Sequence, residues 1–386
     1  MMRRVVVAIY TDPDFYPPTI NAIINLAAHC SEVVVISRNN SRFNFPFPEN
    51  VWLRKSGKLL SVADAEKRGS WYKLFSFLRF AIKLYSNAGN KETDLLILYD
   101  PFPLLAFSII RKFLPRRIIT WYHNHDMPDV TLNRKLTIGW YAAAKEHAAM
   151  QHIRFFSLPS KDRLQFYPNW EKTADHFIIP NYPSLKVYDQ LPKQVKDNGD
   201  IRIIFQGAIG EGHALEELIL LLGEKIGGRS LQLVLKGPVR ELYRQKLDQL
   251  AIKNNVQSRV TWIGIGPYKE VPVITSSCQI GIAIHMGKDN VSRTLGTASN
   301  KIYEYAACGL PVVLYDDIPF TSYLKDRQWT FFTDGSIDGL RNTIVNVITR
   351  ITEAGESAIN DFHESLNFEK AFLPALNSVI KTSGKE

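Results

Sequence analysis

The stretch Gly296-Thr297-Ala298-Ser299-Asn300-Lys301-Ile302-Tyr303-Glu304-Tyr305-Ala306-Ala307-Cys308-Gly309-Leu310-Pro311-Val312-Val313-Leu314-Tyr315 decides how the chain is read. Small and capping residues from Thr297 to Asn300 precede a helical pattern, Gly309 supplies its stop, and Pro311 opens a β-branched strand. The order is loop, short helix, turn, strand. A helix start exposes N–H groups at the positive end of the dipole and is an anion site. Lys301 adds a full charge there.

Glu304, three residues beyond Lys301, shares its helix face. At about 1.5 Å of rise per residue it lies roughly 7 Å along the axis from Ser299. A nucleoside diphosphate sugar matches that separation, with its diphosphate at the helix start and its ribose hydroxyls on Glu304. A surface Lys/Glu pair, contributing a few tenths of a kcal/mol, accounts for the same spacing.

Outward from this segment, short β-branched runs recur between helical patterns. Residues 4–9, 32–37, 94–99, 117–121, 154–157 and 176–180 form one series, and 201–205, 231–235, 259–263, 279–284, 311–315 and 330–332 a second. Near-continuous apolar strands spaced by helix-like stretches predict parallel sheets covered on both faces. The polar segment 188–200 (YDQLPKQVKDNGD) separates the series as a linker, and residues from Phe362 onward form a last helical pattern. Ligands of such sheets bind at the carboxyl ends of the strands. The loop Gly207-Ala208-Ile209-Gly210-Glu211-Gly212-His213 follows the first strand of the second series and suits close approach of phosphate to backbone.

Ser299 to Val313 resembles the donor-binding motif of retaining glycosyltransferases of the GT-B fold, family 4 in particular. Phe205-Gln206-Gly207, Leu233 to Gly237, Val260-Thr261-Trp262-Ile263-Gly264 and Ile179-Pro180-Asn181 agree in order and spacing. The resemblance implies two Rossmann-like α/β domains facing a central cleft: an acceptor-side domain over 1–187, a donor-binding domain over 188–361 and a C-terminal helix, 362–386, crossing back to the first. It implies retaining, metal-independent transfer from a nucleoside diphosphate sugar to a glycan or lipid-linked acceptor hydroxyl, with no cofactor. Glu304, Asn300, Ser299, Gly207, Gly210 and Gly264 would hold the nucleotide; Lys301 and Arg293 would stabilise the leaving diphosphate. Two departures stand out. Gly296 occupies the place of the family's second glutamate, and the loop from Gly207 to His213 lacks the usual Arg and Lys, leaving Lys301, Arg293, Lys236 or His213 to supply charge.

In the first series, Trp121 to Asp129 (WYHNHDMPD) follows a strand, and the family places a histidine here beside the transferred sugar; His125-Asp126 fits that pattern better than His123. Asp12 or Asp14 in residues 11–19 could contact acceptor. Residues 71–85 (WYKLFSFLRFAIKLY) form a largely apolar helix with a narrow polar stripe at 73, 76, 79 and 83. Burial against the first sheet is its expected fate; docking on an anionic membrane surface through Lys73, Arg79 and Lys83 is the alternative.

Composition sets bounds on these readings. The 47 Lys plus Arg against 38 Asp plus Glu give a net charge of +9, suited to an anionic partner. The cations are dispersed without a recognition module, which argues against nucleic acid. Cys30, Cys278 and Cys308 lack metal-ligand or disulfide spacing, and the basic start is followed by too short an apolar run for a signal peptide. A cytoplasmic protein is expected, soluble or peripheral on the inner membrane face. A sugar-nucleotide epimerase of the same fold and a non-catalytic partner subunit are the rival readings.

Overall fold

The computed structural model describes residues 2–127, 134–167, 175–189, 199–287 and 292–383. The chain forms two compact units, Met1–Pro180 with Phe368–Glu386, and Asn181–Asn367. Each is a parallel-sheet α/β unit.

Among the described residues, seven strands build the first: β1 (Met2–Ile9), β2 (Cys30–Arg38), β3 (Val51–Ser56), β4 (Thr93–Tyr99), β5 (Ile119–His123), β6 (Phe155–Leu158) and β7 (Asp175–Ile178). Their order is β3-β2-β1-β4-β5-β6-β7, all parallel. Side-chain alternation splits each apolar run between two cores. Val5, Val7, Ile9, Ile97 and Trp121 pack with the helices Pro17–Ala27 and Phe368–Ser383, while Val6, Ala8, Leu98 and Tyr122 pack with Phe77, Phe80 and Phe107. That is why these strands read as unbroken hydrophobic stretches. Edge strand β3, with its exposed alternate residues and charges (VWLRKS), has no such signature.

The second unit contains β8 (Ile201–Gln206), β9 (Lys225–Ile226), β10 (Arg229–Lys236), β11 (Val260–Trp262), β12 (Ile280–Ala283), β13 (Val312–Tyr315) and β14 (Thr330–Thr333). The path is β11-β10-β8-β12-β13-β14, with β9 antiparallel on β10. In sequence rank this is 3-2-1-4-5-6 once the short β9 is set aside, the doubly wound order.

The units divide at Pro180/Asn181, ahead of the polar segment expected to separate them. Asn181 explains the difference: its N–H donates to Thr297 O at 2.9 Å and its Nδ2 to Ala298 O at 2.8 Å, and Tyr182 packs edge-on against Tyr303. Residues 190–198 lie outside the described residues. The last helix begins at Phe368, not Phe362; Phe362 is buried in the preceding helix, Ile351–Glu364. Buried Asn367 closes that helix by donating to the carbonyls of Phe362 and His363 at 2.9 and 3.1 Å.

Candidate functional site

The carboxyl end of β8 lies between β10 and β12, the switch point of the second sheet, where crossovers leave in opposite directions and open a crevice. Gly207 turns the chain there with φ +115°, its N–H donating to Lys236 O at 2.9 Å. Facing it, Gly237 has φ +142°, and a Cβ there would stand 2.0 Å from Gly207 O. Only glycine permits that backbone approach. Lys301 fills the space above the turn. Its Nζ lies 4.1 Å from the centroid of the Phe205 ring and 3.4 Å from where a Gly207 Cβ would be. Burial pushes the ammonium down to about 8, with Glu304 acting in the opposite direction.

Glu304 is 5% exposed. Its Oε2 accepts from Gln206 Nε2 at 2.5 Å, Gln206 Oε1 accepts from Thr275 Oγ1 at 2.7 Å, and the Gln206 N–H donates to Tyr305 Oη at 2.9 Å. Burial drives the Glu304 carboxyl up to about 7; Tyr268, Gln206, Tyr188 and then Lys301 hold that rise back. The carboxylate therefore faces two buried phenols and an amide, with Lys301 on the same helix face.

Ser299 is the N-cap of the helix Asn300–Ala307, and buried Asn300 Oδ1 meets no partner among the described residues. Gly296 opens the turn before it. A Cβ at Gly296 would come within 2.8 Å of the Tyr323 ring, so an aromatic side chain occupies the space in which any side chain here would begin. This gives a steric reason for the departure seen in the sequence.

The other candidate positions differ in what they offer. Gly210 has open space around it. Gly264, at φ +71°, accepts from Lys236 Nζ at 3.2 Å. Buried Lys236 is thus engaged, and burial lowers its pKa against the pull of Glu270. His213 donates from Nδ1 to Ile284 O at 2.7 Å, and burial, then Lys301, lower it to about 4, so it is neutral. It is no source of charge. Arg293 is exposed on the turn Ser292–Thr294, next to residues 288–291, which lie outside the described residues. Among the described residues no group of three or more His, Cys, Asp or Glu side chains is placed to hold a metal ion.

In the first unit, His125 follows β5 and is 3% exposed. Its ring stacks with Tyr99 at 5.0 Å and Tyr16 at 5.5 Å, and Nε2 meets Thr19 Oγ1 at 3.0 Å. Burial, then His123 and Arg163, hold it well below the usual imidazole range, so it is neutral. Asp100, at φ 69° and ψ 169°, sits in a region almost reserved for glycine, a strain of roughly 1–3 kcal/mol. Its Oδ1 accepts from the N–H groups of His125 at 2.7 Å and Asp126 at 3.2 Å. The strained residue thereby fixes the loop carrying both. Asp126 is exposed and accepts from Tyr16 Oη at 2.5 Å. Asp12 is committed elsewhere: it is 1% exposed, paired with Lys55 Nζ at 2.7 Å, and receives the Asp14 N–H. Buried Asp14 stands on that same turn. Pro128 and Asp129 of this loop lie outside the described residues.

No protein-family model and no curated protein sequence matches the chain. Solved structures do. Sucrose-phosphate synthase from Thermosynechococcus elongatus superposes with a TM-score of 0.69 at 12% identity, covering 100% of both chains. HepE from Anabaena, solved with UDP and glucose, gives 0.67 at 12% identity over 98% of this chain and 100% of its own. WaaG, a glycosyltransferase involved in lipopolysaccharide biosynthesis, gives 0.64 at 13% over 96% and 98%.

The chain has the GT-B fold. Within it, the structure brings Lys301 onto the Gly207 turn and Glu304 onto the end of β8, as the spacing on one helix face suggests. Sequence reasoning missed Gln206, Tyr268, Tyr188 and Thr275. A glutamine directly after the apolar run Ile203-Ile204-Phe205 was the one available signal, because a buried amide needs partners.

Proposed function

We propose that this protein transfers a glycosyl group from a nucleoside diphosphate sugar to the hydroxyl of a glycan or lipid-linked acceptor, with retention of configuration and without a metal ion. The observation that carries the reading is the placement of Lys301 Nζ against the Gly207 turn, with Glu304 one helical turn beyond on the same face. The diphosphate takes the Gly207–Gly210 backbone, the Ser299–Asn300 helix start and Lys301. Charge growing on the leaving phosphate is met by that ammonium and those N–H groups. Ribose hydroxyls donate to Glu304 in place of the phenols of Tyr268 and Tyr188, and the base lies toward Gly264. Arg293 adds charge from the rim. His125, neutral, acts beside the transferred sugar. Retention rests on the resemblance of Ser299 to Val313 to the family 4 motif.

The test is a melting-temperature panel of nucleoside diphosphates and their sugars, uridine first, because HepE is solved with UDP and with UDP-glucose. A ligand at 100 times its Kd stabilises by about 2.7 kcal/mol. If no nucleoside diphosphate raises the melting temperature, the donor site is refuted. Product analysis with donor alone separates transfer from epimerisation, and activity is expected to survive EDTA. Loss in EDTA that magnesium or manganese restores removes the metal-independent mechanism.

A further inference from the structure

The helix Ser70–Ala88 does something the sequence pattern leaves open. Phe77, Phe80, Ala81 and Leu84 are buried on the first sheet, whereas a second apolar face stays in solvent. Trp71 is 74% exposed, Phe75 63% and Ile82 66%, with Tyr72, Leu78 and Tyr85 also open. These residues line one continuous helical stripe. Tyr85 meets Phe113, itself 72% exposed, at 6.5 Å, so the stripe runs on into the turn after the helix Pro101–Ile110. Solitary exposed apolar residues need no explanation, but a contiguous face of this kind marks a binding surface.

Charge identifies the occupant. Residues 70–88 and 101–117 contain no Asp or Glu, yet they carry Lys73, Arg79 and Lys83, and then Arg111, Lys112, Arg116 and Arg117. Lys83 and Arg117 are partly used within the unit, donating to Lys55 O and Lys91 O. Lys73, Arg79, Lys112 and Arg116 are exposed. An aromatic-rich helical face in segments whose charged residues are all cations is the pattern of an interfacial helix lying on anionic lipid. Trp and Tyr suit the headgroup boundary because one part of each ring system is apolar and one polar. Among the described residues no helix is long and apolar enough to cross a membrane.

We propose that this face of the first unit docks on the surface of an anionic bilayer. In a parallel sheet the connecting helix runs antiparallel to its strands, so Trp71 lies toward the carboxyl edge, the edge that also carries Asp126 and Tyr16. The stripe reaches from that edge at Trp71 to the opposite edge at Tyr85 and Phe113, so docking lays the side of the unit along the headgroups. The docking itself does not depend on the transfer reaction.

Flotation of the full chain with phosphatidylcholine vesicles, alone or with phosphatidylglycerol, tests this. The expected result is flotation only with phosphatidylglycerol, reversed by high salt. Phe75→Ser with Ile82→Ser, and separately Lys112→Glu with Arg116→Glu, should each lower the partition constant about tenfold or more without lowering the melting temperature. No flotation with phosphatidylglycerol vesicles, or equal flotation of parent and variants, overturns the proposal. So does a concentration-dependent dimer in sedimentation that Phe75→Ser with Ile82→Ser abolishes, since the face would then belong to a second copy.

Discussion

Glu304 and Lys301 are the residues on which the nucleotide site turns, and their titration makes the site testable. Hydrogen bonds to a charged group contribute roughly 1.5–3 kcal/mol, and about 1.4 kcal/mol is tenfold in Kd. Glu304→Gln should therefore weaken nucleoside and nucleoside diphosphate alike by roughly ten- to a hundredfold, whereas Lys301→Ala should weaken the diphosphate more than the nucleoside. Unchanged nucleoside binding in Glu304→Gln would reduce the carboxylate to a buried structural acid. The pH dependence follows with its sign. The Glu304 carboxyl sits at about 7, and ribose donates best to its ionised form, so nucleoside affinity should rise as pH passes 7. Lys301 sits at about 8, so diphosphate affinity should fall as pH rises beyond 8. Calorimetric titration across that range should show an optimum for the diphosphate, a plateau for the nucleoside, and no rise in Glu304→Gln. His125→Ala should lower turnover more than nucleotide affinity. Equal losses in both would move His125 away from the transferred sugar, and its burial between Tyr16 and Tyr99 would then be its whole role.

At the level of elements, the paired turns after β8 and β10 shape the crevice. Gly237→Ala would drive a Cβ into Gly207 O at a φ that other residues avoid, and no side chain can move to relieve a backbone clash. A loss of about 2 kcal/mol or more is expected in urea denaturation, together with weaker diphosphate binding as the Gly207 turn is pushed away. Gly210→Ala, with open space around it and no positive φ, should stay within about 0.5 kcal/mol of the parent. Equal stability of the two variants would refute the close-approach account. The helix Asn300–Ala307 was legible because its cap, its Gly309 stop and its Lys301–Glu304 spacing are all local. Edge strand β3 was not, since only one of its neighbours is a strand and its alternate residues face water.

For the whole molecule, the consequential feature is that the first unit is completed by the end of the chain. Phe372, 1% exposed, stacks on Trp121 at 5.6 Å and belongs to the core beneath β1, β4 and β5. Removing it should cost roughly 3–5 kcal/mol, and the loss should fall on one unit. In Phe372→Ala, hydrogen exchange is expected to quicken in peptides of β1, β4 and β5 and to stay unchanged in β8 and β10. Faster exchange in β8 and β10 to the same degree, or no change in β1, would refute this division of stability.

The sequence alone determined two parallel-sheet α/β units and the helix carrying Lys301 and Glu304, because periodicity, caps and i,i+3 spacing are properties of neighbouring residues, whereas the strand order came with the tertiary structure. Tertiary structure decided what those residues face. Gln206 meets Glu304 across 98 residues of chain, Tyr323 fills the space beside Gly296, and Phe368 to Ser383 joins the first unit. It also decided that one apolar face of Ser70–Ala88 is covered and the other bare. An apolar pattern states that a face can be buried, while what covers it depends on contacts between segments far apart in sequence.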